Sequence, residues 1–374
     1  MIFVDGLPFS TDSSQERDAL VNLLEHPKLV SASNSFEAMQ EVKFSASKEC
    51  ALQGRWVYLF QREFATVDPA LIDFIGTDEA TTCVGLVIRN QRNGMTSVAH
   101  MDSTKVVDTG LTQMLSLVVD KKIDVDLDVH LIGGFEDVSP QQANGSTRSK
   151  TLAEVDGYSF PLCTKIIETL RKRQEKFHIQ TLYVLGHNTR RDSQGNAYPV
   201  FNGFLSLVSQ PRKLKYTKRL VKTSTGSVIP ASFDRTTRCP DEIVRRIRVS
   251  VSYEDPTWNA KLLETYDTQN DRFVIAPCSW TLWQEHYALT LQDLSDEEIL
   301  LQCSSSPSAE GPEFVDNLRR QWDYLTKQPL WNLTFPMRHP RVFEWTAEGS
   351  WKRCLFSPQD SWNEDGAQTS LQRT

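Results

Sequence analysis

Two apolar runs joined by a short polar turn constrain this chain more than any other feature. Residues 81–89 (TTCVGLVIR) are rich in β-branched and aliphatic side chains and follow a polar turn, Gly76-Thr77-Asp78-Glu79. Residues 90–94 carry turn formers, and residues 95–100 (MTSVAH) read as the returning strand. A strand with one wet face alternates polar and apolar, whereas a continuous apolar run is covered on both sides. The pair therefore reads as a β-hairpin in the core, entered by the turn that carries Thr77 and ending in His100.

Strand patterns also fall at 55–60, 125–132 (closed by Gly133-Gly134), 180–185 and 200–208. Helical spacing appears at 15–26 behind the capping run Thr11-Asp12-Ser13-Ser14, and at 107–119, 160–176, 241–248, 295–303 and 312–326. Residues 248–253, 261–266 and 272–276 suggest a strand meander, and 345–355 a closing hairpin. Such interspersed runs imply an α+β fold with two packed sheets and helices outside. A length of 374 residues suits one large domain or two intimately packed ones. We read 1–356 as one domain, with 210–225 as the candidate sub-boundary, and 357–374 as a disordered tail. Residues 139–149 are expected to be a mobile loop, and the basic run 211–222 (PRKLKYTKRLVK) a solvated one.

Composition narrows the class of function. A net charge of -7 argues against a nucleic-acid binder, which must neutralise phosphates, and suits a positively charged partner. No apolar stretch approaches the roughly 20 residues of a membrane helix, and no secretory leader is read at the start. The seven cysteines, at 50, 83, 163, 239, 278, 303 and 354, are odd in number and form no CxxC pair. A disulfide framework or cysteine zinc site is thus not expected, and the reducing cytosol or nucleus is the natural setting.

The same hairpin can carry chemistry. It can place the Cys83 thiol and the His100 imidazole side by side at a sheet end, where an imidazole would convert a thiol to a thiolate at neutral pH. Its imidazolium could then protonate departing ammonia. Thr77, on the entering turn, could accept the other ring N–H and fix the tautomer. Backbone N–H groups near Thr82 and Cys83 are candidate oxyanion donors. On residue type alone, a strand cysteine is ordinarily a small core hydrophobe, and a strand-end histidine a surface or satisfied core residue. His130, also at a strand end, is a rival base.

The segment 76–83 (GTDEATTC) resembles the surroundings of the nucleophile in the eukaryotic protein N-terminal asparagine amidohydrolases of the animal and plant type. Further ordered stretches resemble the same family: Val4-Asp5-Gly6, Gln61-Arg62-Glu63, His100 with Asp102, and 129–135 (VHLIGGF). So do 275–280 (IAPCSW), 305–310 (SSPSAE) and Phe314-Val315. The Thr77, Cys83 and His100 spacing is also similar to bacterial chemoreceptor deamidases. Ile2 departs from the small second residue of the animal members.

The resemblance implies an α-β-β-α sandwich and a thiol-dependent deamidation that needs neither metal nor organic cofactor. Cys83 would attack the side-chain amide of an N-terminal Asn, and His100 would serve as base and acid. Thr77 would orient the ring. Discrimination of a terminal residue requires an acid for its α-ammonium, with Asp102 the first candidate and Asp78 and Glu63 the others. The implied partners are protein N-termini beginning with Asn and, through them, other enzymes of the N-degron route, in the cytoplasm and also the nucleus. Two other functions fit less of the pattern: deamidation of internal glutamine, and non-catalytic binding of N-degrons.

Overall fold

A computed structural model describes residues 1–10, 16–46, 52–119, 125–137, 157–209, 213–214 and 225–354. Val84–Asn90 pairs antiparallel with Thr96–Met101, and every residue of the two strands is buried except half-buried Arg89. The ladder opens at Val84 rather than Thr81. Residues 78–83 instead carry the chain across from Phe74–Thr77, a strand of a second sheet.

Among the described residues the hairpin lies inside an eight-stranded sheet. Its order is Leu263–Glu264, Glu63–Val67, Thr96–Met101, Val84–Asn90, Asp126–Gly133, Lys176–Val184, Ile2–Val4 and Leu7–Pro8. Alternate residues of a strand point to opposite faces. Leu86, Ile88, Leu127 and Val129 meet Leu20, Leu111, Met114, Leu162 and Ile166 of the helices Glu16–Leu24, Val107–Val118 and Ser159–Lys172. Val87, Val98 and Ile132 face the other way, onto Val57, Leu59, Ile75 and Phe204 of the second sheet. Cover on both faces is why the hairpin reads as an unbroken apolar run.

The second sheet has the order Val42–Phe44, Val228–Phe233, Phe204–Leu207, Phe74–Thr77 and Trp56–Leu59. Its outer face packs Phe44, Trp56, Tyr58, Phe74 and Phe233. The helix Glu242–Ser252 gives Val244, Ile247 and Val251 to the inter-sheet core and Val249 to this outer cluster. The helix Phe314–Lys327 packs against it, and Leu282–Gln292 and Asp296–Cys303 pack in turn on Phe314–Lys327. The fold is therefore α+β with packed sheets and outer helices, as the sequence implies.

Several elements differ from expectation. Residues 248–252, read as strand, are the last turns of the helix Glu242–Ser252; its β-branched VSV run masks a helical face. The helix expected to reach 176 ends at Lys172, and the following strand begins at Lys176. The helix Pro27–Glu37 has no unbroken apolar stripe in the sequence, because Ser33 occupies its buried face and donates to the Leu182 carbonyl at 3.0 Å. The helix Leu282–Gln292 was missed because it buries only Ala288 and Leu291 and shows no apolar stripe. Lys213–Leu214, within the basic run, pairs with Leu52–Gln53 as a short strand rather than a loop. The capping run at 11–14, the loop 139–149, the rest of 211–222 and the tail 357–374 lie outside the described residues.

Candidate active site

The crossover between the sheets builds the site. Glu79 takes a left-handed turn at φ 61°, and the Ala80 N–H donates to the Asn202 carbonyl at 2.8 Å, which pins the crossing segment. Cys83 ends that segment, 7% exposed, on the wall of a cavity of about 990 Å³. His100 stands opposite Gly85 in the ladder and lines the same cavity. The pleat gives residues two apart a shared face, so Cys83 and His100 are diagonal neighbours across the hairpin. Gly85 lies between them in register because a Cβ there would come within 2.0 Å of the Phe204 ring.

Thr77 reaches His100 from the second sheet, its Oγ1 2.7 Å from Nδ1 of the ring. The same hydroxyl donates to the Leu59 carbonyl at 2.7 Å. It has only one hydrogen, so Nδ1 is the donor in the pair with His100, and the neutral ring keeps its lone pair on Nε2. Nε2 is buried and has no hydrogen-bond partner among the described residues. Burial lowers the His100 pKa to about 4, against the opposing pull of Glu79 and Glu63. Burial also pushes the Cys83 thiol well up, and the carboxylates of Asp102 and Glu310 add to that rise. Both shifts favour the neutral forms, thiol and imidazole, in the empty cavity. Desolvation is the largest influence on both groups, and in each it disfavours the charged form that a preformed thiolate–imidazolium pair would need.

The three acids proposed from sequence have separate fates. Asp102 lines the cavity; its Oδ2 accepts from the Tyr253 hydroxyl, and its Oδ1 is buried without a partner. Asp78 also lines the cavity, but Tyr58 (2.6 Å), the Phe233 N–H (2.8 Å) and Arg238 (3.2 Å) occupy its carboxylate. Glu63 is not brought to the cavity. It is fully buried, accepting from the Phe60 N–H, Arg245 and Arg248. His130 stands apart as well. It lies opposite Val87, and its Nδ1 is 3.0 Å from Thr181 Oγ1.

Two side chains that sequence reasoning did not select stand close to the thiol, Tyr253 and Glu310. Glu310 falls within the 305–310 stretch that carries the family resemblance, which was a usable signal; Tyr253 has none. Among the described residues no group of three or more His, Cys, Asp or Glu is placed to hold a metal ion. No described helix is long and apolar enough to cross a membrane.

The family model for protein N-terminal asparagine amidohydrolase matches residues 46–353. The chain belongs to this family. The protein N-terminal asparagine amidohydrolase of Arabidopsis thaliana is 55% identical over 365 residues, spanning 95% of this chain and 100% of that relative. Those of Mus musculus and Homo sapiens are each 28% identical, over 310 and 307 residues, spanning 81% of this chain and 84% of each relative. The span matched to the amidohydrolase family contains Thr77, Cys83, His100, Asp102, Tyr253 and Glu310, and with them the crossover and the cavity wall described above.

Proposed function

We propose that this protein hydrolyses the side-chain amide of an N-terminal asparagine, leaving aspartate and releasing ammonia. The observation that carries the chemistry is that Cys83 and His100 share one cavity wall, with Nε2 of His100 unpartnered and Nδ1 held by Thr77. As Sγ bonds to the amide carbon, Nε2 takes the thiol proton. The tetrahedral adduct collapses with cleavage of the C–N bond, and the imidazolium returns that proton to the departing nitrogen. A water, deprotonated by Nε2, then attacks the thioester. Sulfur leaves with the proton, and the free thiol is restored. No step requires a metal or an organic cofactor.

Asp102 is the proposed partner of the substrate's α-ammonium, since its Oδ1 has no hydrogen-bond partner among the described residues. Asp78 is the weaker candidate because its carboxylate is already taken up, and Glu63 has no access to the cavity. The product, an N-terminal aspartate, suits arginyl transfer and ubiquitin-dependent turnover in the N-degron route. A free, reduced thiol suits the cytoplasm and nucleus. The Thr–Cys–His arrangement itself is proposed to be the core shared with chemoreceptor deamidases.

Matched peptides with Asn first, Gln first or Gln inside test the reading, followed by ammonia release and mass spectrometry. We expect turnover of the Asn-first peptide by the wild-type protein and none by Cys83→Ala. Turnover of the internal-Gln peptide alone would reassign the activity, and binding without ammonia would make the protein an N-degron receptor.

A further inference from the structure

The cavity wall carries more acid than the proposed chemistry uses, and the acids are not equivalent. Asp78, Glu79 and Glu313 are ion-paired with Arg238, at 3.2, 2.8 and 2.8 Å. Glu79 is also paired with Arg246 at 3.0 Å. Asp234 caps its own turn through the Thr236 and Thr237 N–H groups. Asp102 and Glu310 have no guanidinium or ammonium within ion-pair distance among the described residues. Asp102 takes only the Tyr253 hydroxyl and Glu310 the Ser304 hydroxyl, the latter at 2.6 Å.

Glu310 arrives from far along the chain. The loop after the helix Asp296–Cys303 carries it over the cavity, and Ser305 Oγ meets Thr82 Oγ1 at 3.3 Å, beside the thiol. Both uncompensated carboxylates are near enough to act on Cys83, on the wall where His100, 1% exposed, presents an unpartnered Nε2. Two carboxylates with no counter-ion around one partly desolvated cavity make an unfavourable arrangement, which a cation entering from outside relieves. The cation that the proposed substrate brings is its α-ammonium.

We propose that Glu310 is a specificity-determining residue that completes, with Asp102, the seat for the substrate's α-ammonium, and that filling this seat favours ionisation of Cys83. The inference rests on the amidohydrolase reading above and adds a residue and a coupling to it. In the empty cavity both carboxylates oppose the thiolate. A bound ammonium offsets them, so the nucleophile is called up by a free amino terminus and not by an internal amide or an acetylated end. Burial raises the carboxyl of Glu310 itself, with Glu79 adding to the rise, and the incoming cation works against both.

The test uses two readouts that a structural role could not move in opposite directions. For Glu310→Gln we expect KM for an Asn-first peptide to rise about tenfold to a hundredfold, the scale of one lost charge-assisted hydrogen bond. In the same variant without peptide, iodoacetamide should alkylate Cys83 faster at neutral pH than in wild type, because one opposing charge is gone. Glu310→Asp keeps the charge on a shorter stem and should retain slow alkylation with a smaller rise in KM; it carries the test if the Gln variant folds poorly. An unchanged KM in a folded Glu310→Gln protein, or alkylation no faster than wild type, overturns the proposal. Failure of the wild-type protein to deamidate the peptide at all would instead overturn the underlying reading.

Discussion

Thr77 Oγ1 receives the Nδ1 proton of His100 because its own hydrogen goes to the carbonyl of Leu59, each contact being 2.7 Å. A neutral acceptor, not a carboxylate, thus holds the ring. It fixes the tautomer without placing a negative charge on the ring, while burial lowers the ring's pKa to about 4. Removing the hydroxyl leaves Nδ1–H buried with no acceptor and lets the proton move to the nitrogen that must stay bare. Thr77→Val should therefore lower kcat by roughly 10²-fold or more, the usual scale of general acid–base catalysis, with KM little changed. Thr77→Ser should retain most of the activity. Equal losses in the two variants would mean that the methyl, not the hydroxyl, matters.

The thiol chemistry should betray the absence of a resting ion pair. Desolvation, then Asp102 and Glu310, push the Cys83 thiol up, so thiolate forms through bulk alkali in the empty protein. Alkylation of Cys83 by iodoacetamide should climb steadily across the neutral range and into mild alkali. A plateau beginning below pH 7 would show a thiolate–imidazolium pair and remove the concerted proton transfer proposed above.

Much of this site was legible because hairpin geometry is local. The apolar run, the turn and the terminal imidazole allow 83 and 100 to meet at one sheet end, with Thr77 on the turn that leads in, and the family resemblance of 76–83 singled these residues out. The acids were less legible. Asp102 shares the hairpin and reached the cavity, but Glu63 is claimed by Arg245 and Arg248, residues of a helix far along the chain. Nothing local to 61–63 reveals those partners, and part of that helix imitates a strand. Glu310 and Tyr253 are brought in by the packing of the C-terminal helices, which periodicity does not position. Two packed sheets with outer helices followed from the interspersed strand and helix runs, and the α-β-β-α order from the family resemblance; two helices hide behind Ser33 and behind the exposed side chains of Leu282–Gln292.

Glu63 should prove to be a stability residue. One carboxylate answers two fully buried guanidinium groups, and Arg248 already has two nitrogens without partners. Among the described residues Glu63 is the only carboxylate paired with either arginine, so Glu63→Gln leaves both cations uncompensated in the core. Breaking such a network costs about 3–5 kcal/mol. Urea unfolding should show that loss, while the remaining folded protein keeps its KM for an Asn-first peptide. A normal midpoint with a raised KM would return Glu63 to the substrate site.

Gly85 is needed for space. A methyl group there meets the buried Phe204 ring at 2.0 Å and cannot be absorbed by a surface movement. Gly85→Ala should cost about 1–3 kcal/mol by overpacking. It should also reduce kcat, because any shift of strand Val84–Asn90 changes the diagonal between Cys83 and His100. A double variant, Gly85→Ala with Phe204→Leu, should recover stability as it makes room for the methyl. If stability falls further in the double variant, the clash is not the cause.

His130 offers a clean test of how buried imidazoles set acid stability, because it lies outside the cavity. Burial lowers its pKa from 6.5 to about 4. Above pH 6.5 neither the folded nor the unfolded ring is protonated, and the group contributes no slope. Between 6.5 and 4 the unfolded ring binds a proton that the folded ring refuses, so stability falls as pH falls; below 4 both are charged and the slope ends. By linkage the loss due to this ring between neutrality and pH 5 is about 2 kcal/mol. His100 contributes in the same direction. Asp78, whose carboxyl is raised to about 6 by burial and by Glu79, works in the opposite direction, but it is common to wild type and variant. His130→Gln should therefore lose less stability than wild type when urea unfolding is compared at pH 7 and pH 5. Identical losses in the two proteins would mean that the ring is protonated in the folded state, and that its contact with Thr181 holds a charged rather than a neutral imidazole.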